Sequence, residues 1–135
     1  MPATSTDGSS RDDPGRIAAA IATAVVHVFS DYTGRGPTRA RTTIDGTTVV
    51  VILQDSMTKA ERSLVEAGKD ADVLHLRRSF QETMRTDLVA VVEQLTASRV
   101  NVFMSANHIA PDAAAEVFLL DSEVAGASDT AVSRS

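Results

Sequence analysis

The chain contains no cysteine and no tryptophan, and it carries one tyrosine and four phenylalanines among 135 residues. Without cysteine there is no disulfide, no thiolate nucleophile and no cysteine-based zinc site, and the composition fits a reducing compartment. Aromatics make up 4% of the chain, so the core has to be assembled from Val, Ile, Leu and Ala. Long hydrophobic runs are missing too. The longest apolar stretch, Ile17 to Phe29, is interrupted by Thr23 and His27. It falls short of the roughly 20 residues that cross a bilayer core of about 30 Å, so direct membrane insertion is not expected. Residues 1–16 mix both charges and carry no apolar segment of the kind that marks an export signal. Basic residues are outnumbered: 13 Lys and Arg against 18 Asp and Glu give a net charge of −5. That balance opposes binding to nucleic acid, which relies on neutralising phosphates.

What remains is ordinary globular material, 43% hydrophobic and 23% charged. The length suits one domain, expected over residues 12–121. Disordered tails rich in Ser, Thr, Ala and Asp are expected at 1–11 and 122–135, because such segments bury too little surface to offset their ordering entropy.

Periodicity predicts a helix from Asp12 or Asp13, with an apolar stripe of Ile17, Ile21, Ala24, Val25, Val28 and Phe29, and His27 partly buried among them. Gly34-Arg35-Gly36-Pro37 ends it, with Gly36 the expected carrier of a positive φ. A hairpin follows. Arg39 to Ile44 alternates, Asp45-Gly46 is a type I′ turn signal, and the return strand Thr47 to Leu53 is apolar on both faces. Thr58 with Glu61 forms a capping box for a short helix closed by Gly68. Asp70 or Asp72 caps a long helix to about Ser98, seamed by Leu76, Phe80, Met84, Leu88, Val91, Val92 and Leu95. At about 1.5 Å per residue it approaches 40 Å, longer than one small sheet needs, which suggests packing against a second copy. Strands at Val100 to Ser105 and Ala115 to Leu120 close the fold, with Val100, Val102 and Met104 sharing one face of the first. The order α-β-β-α-α-β-β gives an α+β domain: a four-stranded antiparallel sheet packed with helices, one of them long.

Chemistry-bearing constellations are few. Arg35, Gly36, Arg39 and Arg41 form the one candidate ligand site, where guanidinium forks and loop N–H groups could face an anion. The competing explanation is a helix stop followed by the charged face of an edge strand. His27, His75 and His108 show no i, i+4 pairing and no Glu-x-x-His, so no metal site is expected. No nucleophile elbow is present, and the paired aspartates look like helix starts. Arg78 and Glu82 stand at i, i+4, so surface pairing accounts for the arginines of the long helix, Arg77 included, with a partner-binding stripe of Arg77, Arg78 and Arg85 as the alternative. No catalytic residue and no cofactor is expected. Phe80, Met84 and Leu88 mark the middle of the long seam and are the candidate dimer interface.

Several segments in order resemble one family. They are Gly34-Arg35-Gly36-Pro37, Met57-Thr58-Lys59-Ala60-Glu61-Arg62-Ser63-Leu64, Val92-Glu93-Gln94-Leu95-Thr96, Val100-Asn101-Val102-Phe103-Met104-Ser105 and Glu116-Val117-Phe118-Leu119-Leu120. The pattern, covering about Arg16 to Asp121, resembles a small bacterial family, formerly a domain of unknown function. The family is named for the third, soluble component of a sodium-translocating, membrane-potential-generating system. Asn107 stands where that pattern suggests an aspartate. The resemblance implies a cytoplasmic accessory protein, peripheral to the inner membrane face through a partner in ion or inorganic-carbon transport. The combined expectation is a non-enzymatic, homodimeric interaction module. The alternative is a small regulatory domain that binds an anionic ligand through the Gly34–Pro37 turn and its arginines.

Overall fold

The computed structural model describes residues 13–124. The expected tail at 1–11, and residues 125–135 of the expected C-terminal tail, lie outside the described residues. Three helices and four strands alternate as anticipated: α1 (Asp13–Thr33), β1 (Arg39–Asp45), β2 (Thr48–Gln54), α2 (Lys59–Glu66), α3 (Asp70–Thr96), β3 (Val100–His108) and β4 (Ala113–Leu120). The strand order is β1-β2-β4-β3, every neighbour antiparallel. β2 and β4 are central, β1 and β3 are edges.

Helices α1 and α3 pack against each other and against one face of the sheet. Val49, Val51, Leu53, Phe103, Phe118 and Leu120 point into that layer and meet Ile21, Val25, Phe29, Met84, Leu88 and Val92. Phe103 and Phe118 pair across β3 and β4 with centroids 5.1 Å apart. Because side chains alternate along a strand, the residues between them face the other way. Val50, Ile52, Val117, Leu119, Val102 and Met104 therefore line an opposite face on which no element among the described residues packs.

Several local expectations change. The hairpin closes at Asp45↔Thr48, which leaves Gly46 and Thr47 as the loop. Only Gly46 takes a positive φ, 62°, so the turn is of the II′ kind, with one left-handed residue instead of the two that I′ requires. Thr58 does close a capping box on Glu61, but α3 is entered from Lys69 with no side-chain cap, and Asp70 and Asp72 sit inside its first turn. There their charge favours the helix N-terminus. Val100 and Val102 do not share a face. A register shift between them turns Val100 towards the core, opposite Leu120, and leaves Val102 on the open side. His27 is exposed rather than partly buried. Val124 is buried, so ordered packing runs three residues past the expected boundary at 121.

The residue that carries the positive φ in the Gly34–Pro37 turn is Gly34, at 80°, and not Gly36. Gly36 is needed for a different reason. A Cβ there would lie 3.0 Å from Val26 Cγ1 and 3.1 Å from the Val26 carbonyl oxygen, so the turn lies flat on α1. Gly36→Val is accordingly expected to cost about 1–3 kcal/mol by overpacking. Urea unfolding of the variant checks this, and a midpoint equal to the parent's would show that α1 yields freely.

Candidate functional site

The long helix is buried along Val73, Arg77, Gln81, Met84, Leu88, Val92 and Thr96. Met84 and Leu88 are fully enclosed by their own chain, and Phe80 is half-buried beside them. The seam expected to hold a dimer is thus the core of one protomer, its length packed against α1, β3 and α2 of the same chain. At the N-terminal half of α3 the buried line departs from the apolar pattern. Leu76 is exposed, and Arg77 and Gln81 occupy the positions that face inward.

These two side chains organise a polar cluster between α2, α3, β3 and β4. The Arg77 guanidinium donates to Glu61 Oε1 at 3.4 Å, to Asn107 Oδ1 at 3.2 Å and to the Ser56 hydroxyl at 2.5 Å. The paired side chains are only 8% and 6% exposed, so this is a buried ion pair and not the surface pairing expected of the α3 arginines. Gln81 donates from Nε2 to Asn107 Oδ1 at 3.0 Å and to Glu116 Oε2 at 2.8 Å, and accepts from Asn107 Nδ2 at 2.8 Å. Ser105 closes the chain of contacts by donating to Glu116 Oε1. Glu61 also accepts from the Thr58 backbone N–H at 2.8 Å, so the residue that starts α2 is the one that neutralises Arg77. Next to the cluster, Asp112 takes the Met57 backbone N–H at 2.8 Å and ties the β3–β4 loop to the start of α2.

Glu116 is the unusual member. It lies in a central strand on the covered face, fully buried. Removal from water raises its pKa to about 7, against the hydrogen bonds from Ser105 and Gln81 and the nearby charge of Arg77, which all lower it. With Gln81 donating to Oε2, a proton taken up by Glu116 belongs on Oε1, where Ser105 can turn its hydroxyl to accept. The cluster can therefore take up one proton near neutrality. His27, His75 and His108, all exposed, stand apart from it. Among the described residues no group of three or more acidic or imidazole side chains is placed to hold a metal ion.

The arginine-turn candidate is dispersed. Arg35 is spent on the chain itself. It donates to the Asp55 carbonyl at 2.6 Å, to the Met57 carbonyl at 3.2 Å and to Asp55 Oδ2 at 3.0 Å. Asp55, at φ 56°, also receives the Thr38 hydroxyl and Arg62. Led by the Thr38 hydroxyl, with Arg35 and Arg62 adding to it, these donors hold its carboxyl below the usual range. Arg35 thus clamps the α1–β1 link to the β2–α2 link. Gly36 lies against α1, while Arg39 and Arg41 project from β1 on the open side of the sheet. The four residues do not converge on a common space.

The remaining constellation is the open face itself. Ile52, Val102 and Met104 are 41%, 37% and 49% exposed, with Val50, Val117 and Leu119 half-buried between them. In register, Val117 sits between Val50 on one side and Met104 on the other. A small apolar platform crosses three strands.

Residues 14–122 match the family model described as "Na+-translocating membrane potential-generating system (MpsC)". The chain belongs to the MpsC family. The match spans the described fold from α1 to the residues after β4, so the capping box, the buried arginine and the glutamate of β4 all fall inside it. No curated protein and no solved structure matches the chain. Among the described residues no helix is long and apolar enough to cross a membrane.

Proposed function

We propose that the chain is a non-enzymatic accessory component of a membrane-potential or ion-transport system, cytoplasmic and homodimeric. Its open sheet face docks a membrane-bound partner. The observation that carries this reading is the apolar platform of Ile52, Val117, Val102 and Met104 on the sheet face opposite the one that packs against α1 and α3. Two apolar open-face positions on each of three strands, the strands about 4.8 Å apart and the positions about 6.6 Å apart along each, make a patch of roughly 200 Å² in projection. Size alone does not single it out, since ordinary monomers carry apolar patches of this order; its place on an uncovered sheet face within the family fold is what favours docking. The family supplies the setting, a multi-component system that generates membrane potential. The anion-binding alternative is less favoured, because Arg35 is engaged by Asp55 and Met57 and lies apart from Arg39 and Arg41.

Val117→Asp tests it, because this residue lies at the centre of the patch. In a strain deleted for the gene, the wild-type chain is expected to restore membrane potential as read by a potential-sensitive dye. The variant, at equal abundance and with unchanged circular dichroism, is expected to fail. Full restoration by Val117→Asp would remove the open face as the docking surface.

A further inference from the structure

The two edges of the sheet are built differently. β1 displays Arg39 and Arg41 and follows directly on Pro37 and Thr38, devices that hold off a further strand. β3 has neither charge nor proline, and its one edge device is the register shift between Val100 and Val102 at its start. Its nine residues, Val100–His108, include no Lys, Arg, Asp, Glu or Pro. The register shift between Val100 and Val102 leaves Val102 to His108 in regular pairing with β4. No strand among the described residues covers its outer side. A long, uncharged edge with free N–H and C=O groups is a template for another strand.

Above this edge, α3 overhangs β3 and leaves two grooves end to end. One, of about 340 Å³, is bordered by Arg78, Arg85 and Asn107. The other, of about 330 Å³, is bordered by Val89, Glu93 and Val100. Arg85 marks their junction, with its guanidinium 5.4 Å from the centroid of Phe103.

We infer that β3 is a self-pairing edge: two copies meet β3 to β3, antiparallel across a two-fold axis, and form one eight-stranded sheet. This rests on the homodimer proposed above and names its surface. A second copy is the occupant that the edge fits, for three reasons. An antiparallel strand paired with its own copy is self-complementary under two-fold symmetry, so the assembly closes at two and leaves only the charged β1 edges outside. The charges along the groove pair in part under that operation, while the two Arg85 side chains approach each other near the axis with Glu82 of each copy lining the same groove. Arg78 lies seven residues before Arg85 and Glu93 eight after it, so an axis through the middle brings Arg78 of one copy towards Glu93 of the other. Glu93 keeps one carboxylate oxygen for this, since Oε2 accepts the Val100 N–H. Finally, the axis joins the two open faces through Val102, Met104 and Ala106, doubling the apolar platform offered to a partner.

The chain's lack of cysteine makes the test direct, because each introduced thiol is the only one. Val102→Cys, Met104→Cys and Ala106→Cys are oxidised under native conditions beside Arg41→Cys on the opposite edge and Ile52→Cys on the open face. Intermolecular disulfide formation is expected to peak at one β3 position, at least tenfold faster than at Arg41→Cys or Ile52→Cys. Met104→Lys, which sets like charges beside each other at the pairing edge, is expected to stay folded by circular dichroism and to raise the dimer dissociation constant at least tenfold by light scattering. A dimer that cross-links fastest at residue 41 or 52, or that is indifferent to Met104→Lys, overturns the edge pairing while leaving the homodimer intact. A parent chain that is monomeric at tens of micromolar overturns both.

Discussion

Arg77→Ala is expected to be the most damaging single substitution in the chain, costing about 3–5 kcal/mol, enough to unfold a marginal domain. The reason is the company Arg77 keeps. Its removal leaves Glu61 charged, buried and without its counter-charge, and frees acceptor atoms on Asn107 and Ser56. Much of the loss therefore comes from the abandoned carboxylate and not from the lost arginine. A second substitution makes that visible. Glu61→Gln keeps the capping geometry, which glutamine also supports, while removing the stranded charge. Arg77→Met with Glu61→Gln should then be more stable than Arg77→Met alone by at least about 1 kcal/mol, a coupling read from urea unfolding of the double-mutant cycle. An Arg77→Ala variant within about 1 kcal/mol of the parent would mean that the guanidinium is not what holds α2 to α3.

The second large effect is a dependence on pH. Glu116 has a pKa raised to about 7 from an ordinary value of 4.5, so between these values the folded chain holds a proton that the unfolded chain has released. Stability on this account falls as pH rises through that window. The contribution is fully present below about pH 4.5 and lost above about pH 7, and the whole excursion is roughly 3 kcal/mol. Glu116→Gln retains an oxygen for Gln81 and an amide for Ser105 to accept, and cannot ionise. Its stability is expected to lose this slope and to exceed the parent's at pH 8, in denaturant titrations at constant ionic strength. If parent and variant curves run parallel from pH 5 to 8, Glu116 does not titrate in that window.

The parts of the fold that were legible in the sequence are those fixed by local chemistry. Thr58 and Glu61 announce the start of α2, Gly46 announces the hairpin, and the stripe from Ile17 to Phe29 gives the buried side of α1. Periodicity fails where the surroundings are not apolar. Leu76 and Phe80 continue the seam of α3 by spacing, yet Arg77 and Gln81 face inward because Glu61, Asn107 and Glu116 wait there from three other elements. Nothing within the helix could reveal those partners, since they lie 16 to 35 residues away in sequence. The one available signal was alternation in β4. Once Val117 and Leu119 share a face, Glu116 must share the other with Phe118 and Leu120, and a glutamate between two buried positions calls for donors. The open face was equally hard to assign, because β2 is apolar on both sides and its spacing does not say which side a helix covers.

Tyr32 near the end of α1 donates its hydroxyl to Asp87 on α3 at 2.7 Å. It is the only tyrosine in a chain without tryptophan, so ultraviolet emission excited near 280 nm comes from one ring at one helix–helix junction. A carboxylate acceptor quenches phenol fluorescence. The intact protein should therefore be dim and brighten when α1 separates from α3, before or together with the loss of helical ellipticity. The fold thus contains its own optical gauge of the α1–α3 contact, with no dye or engineered label required.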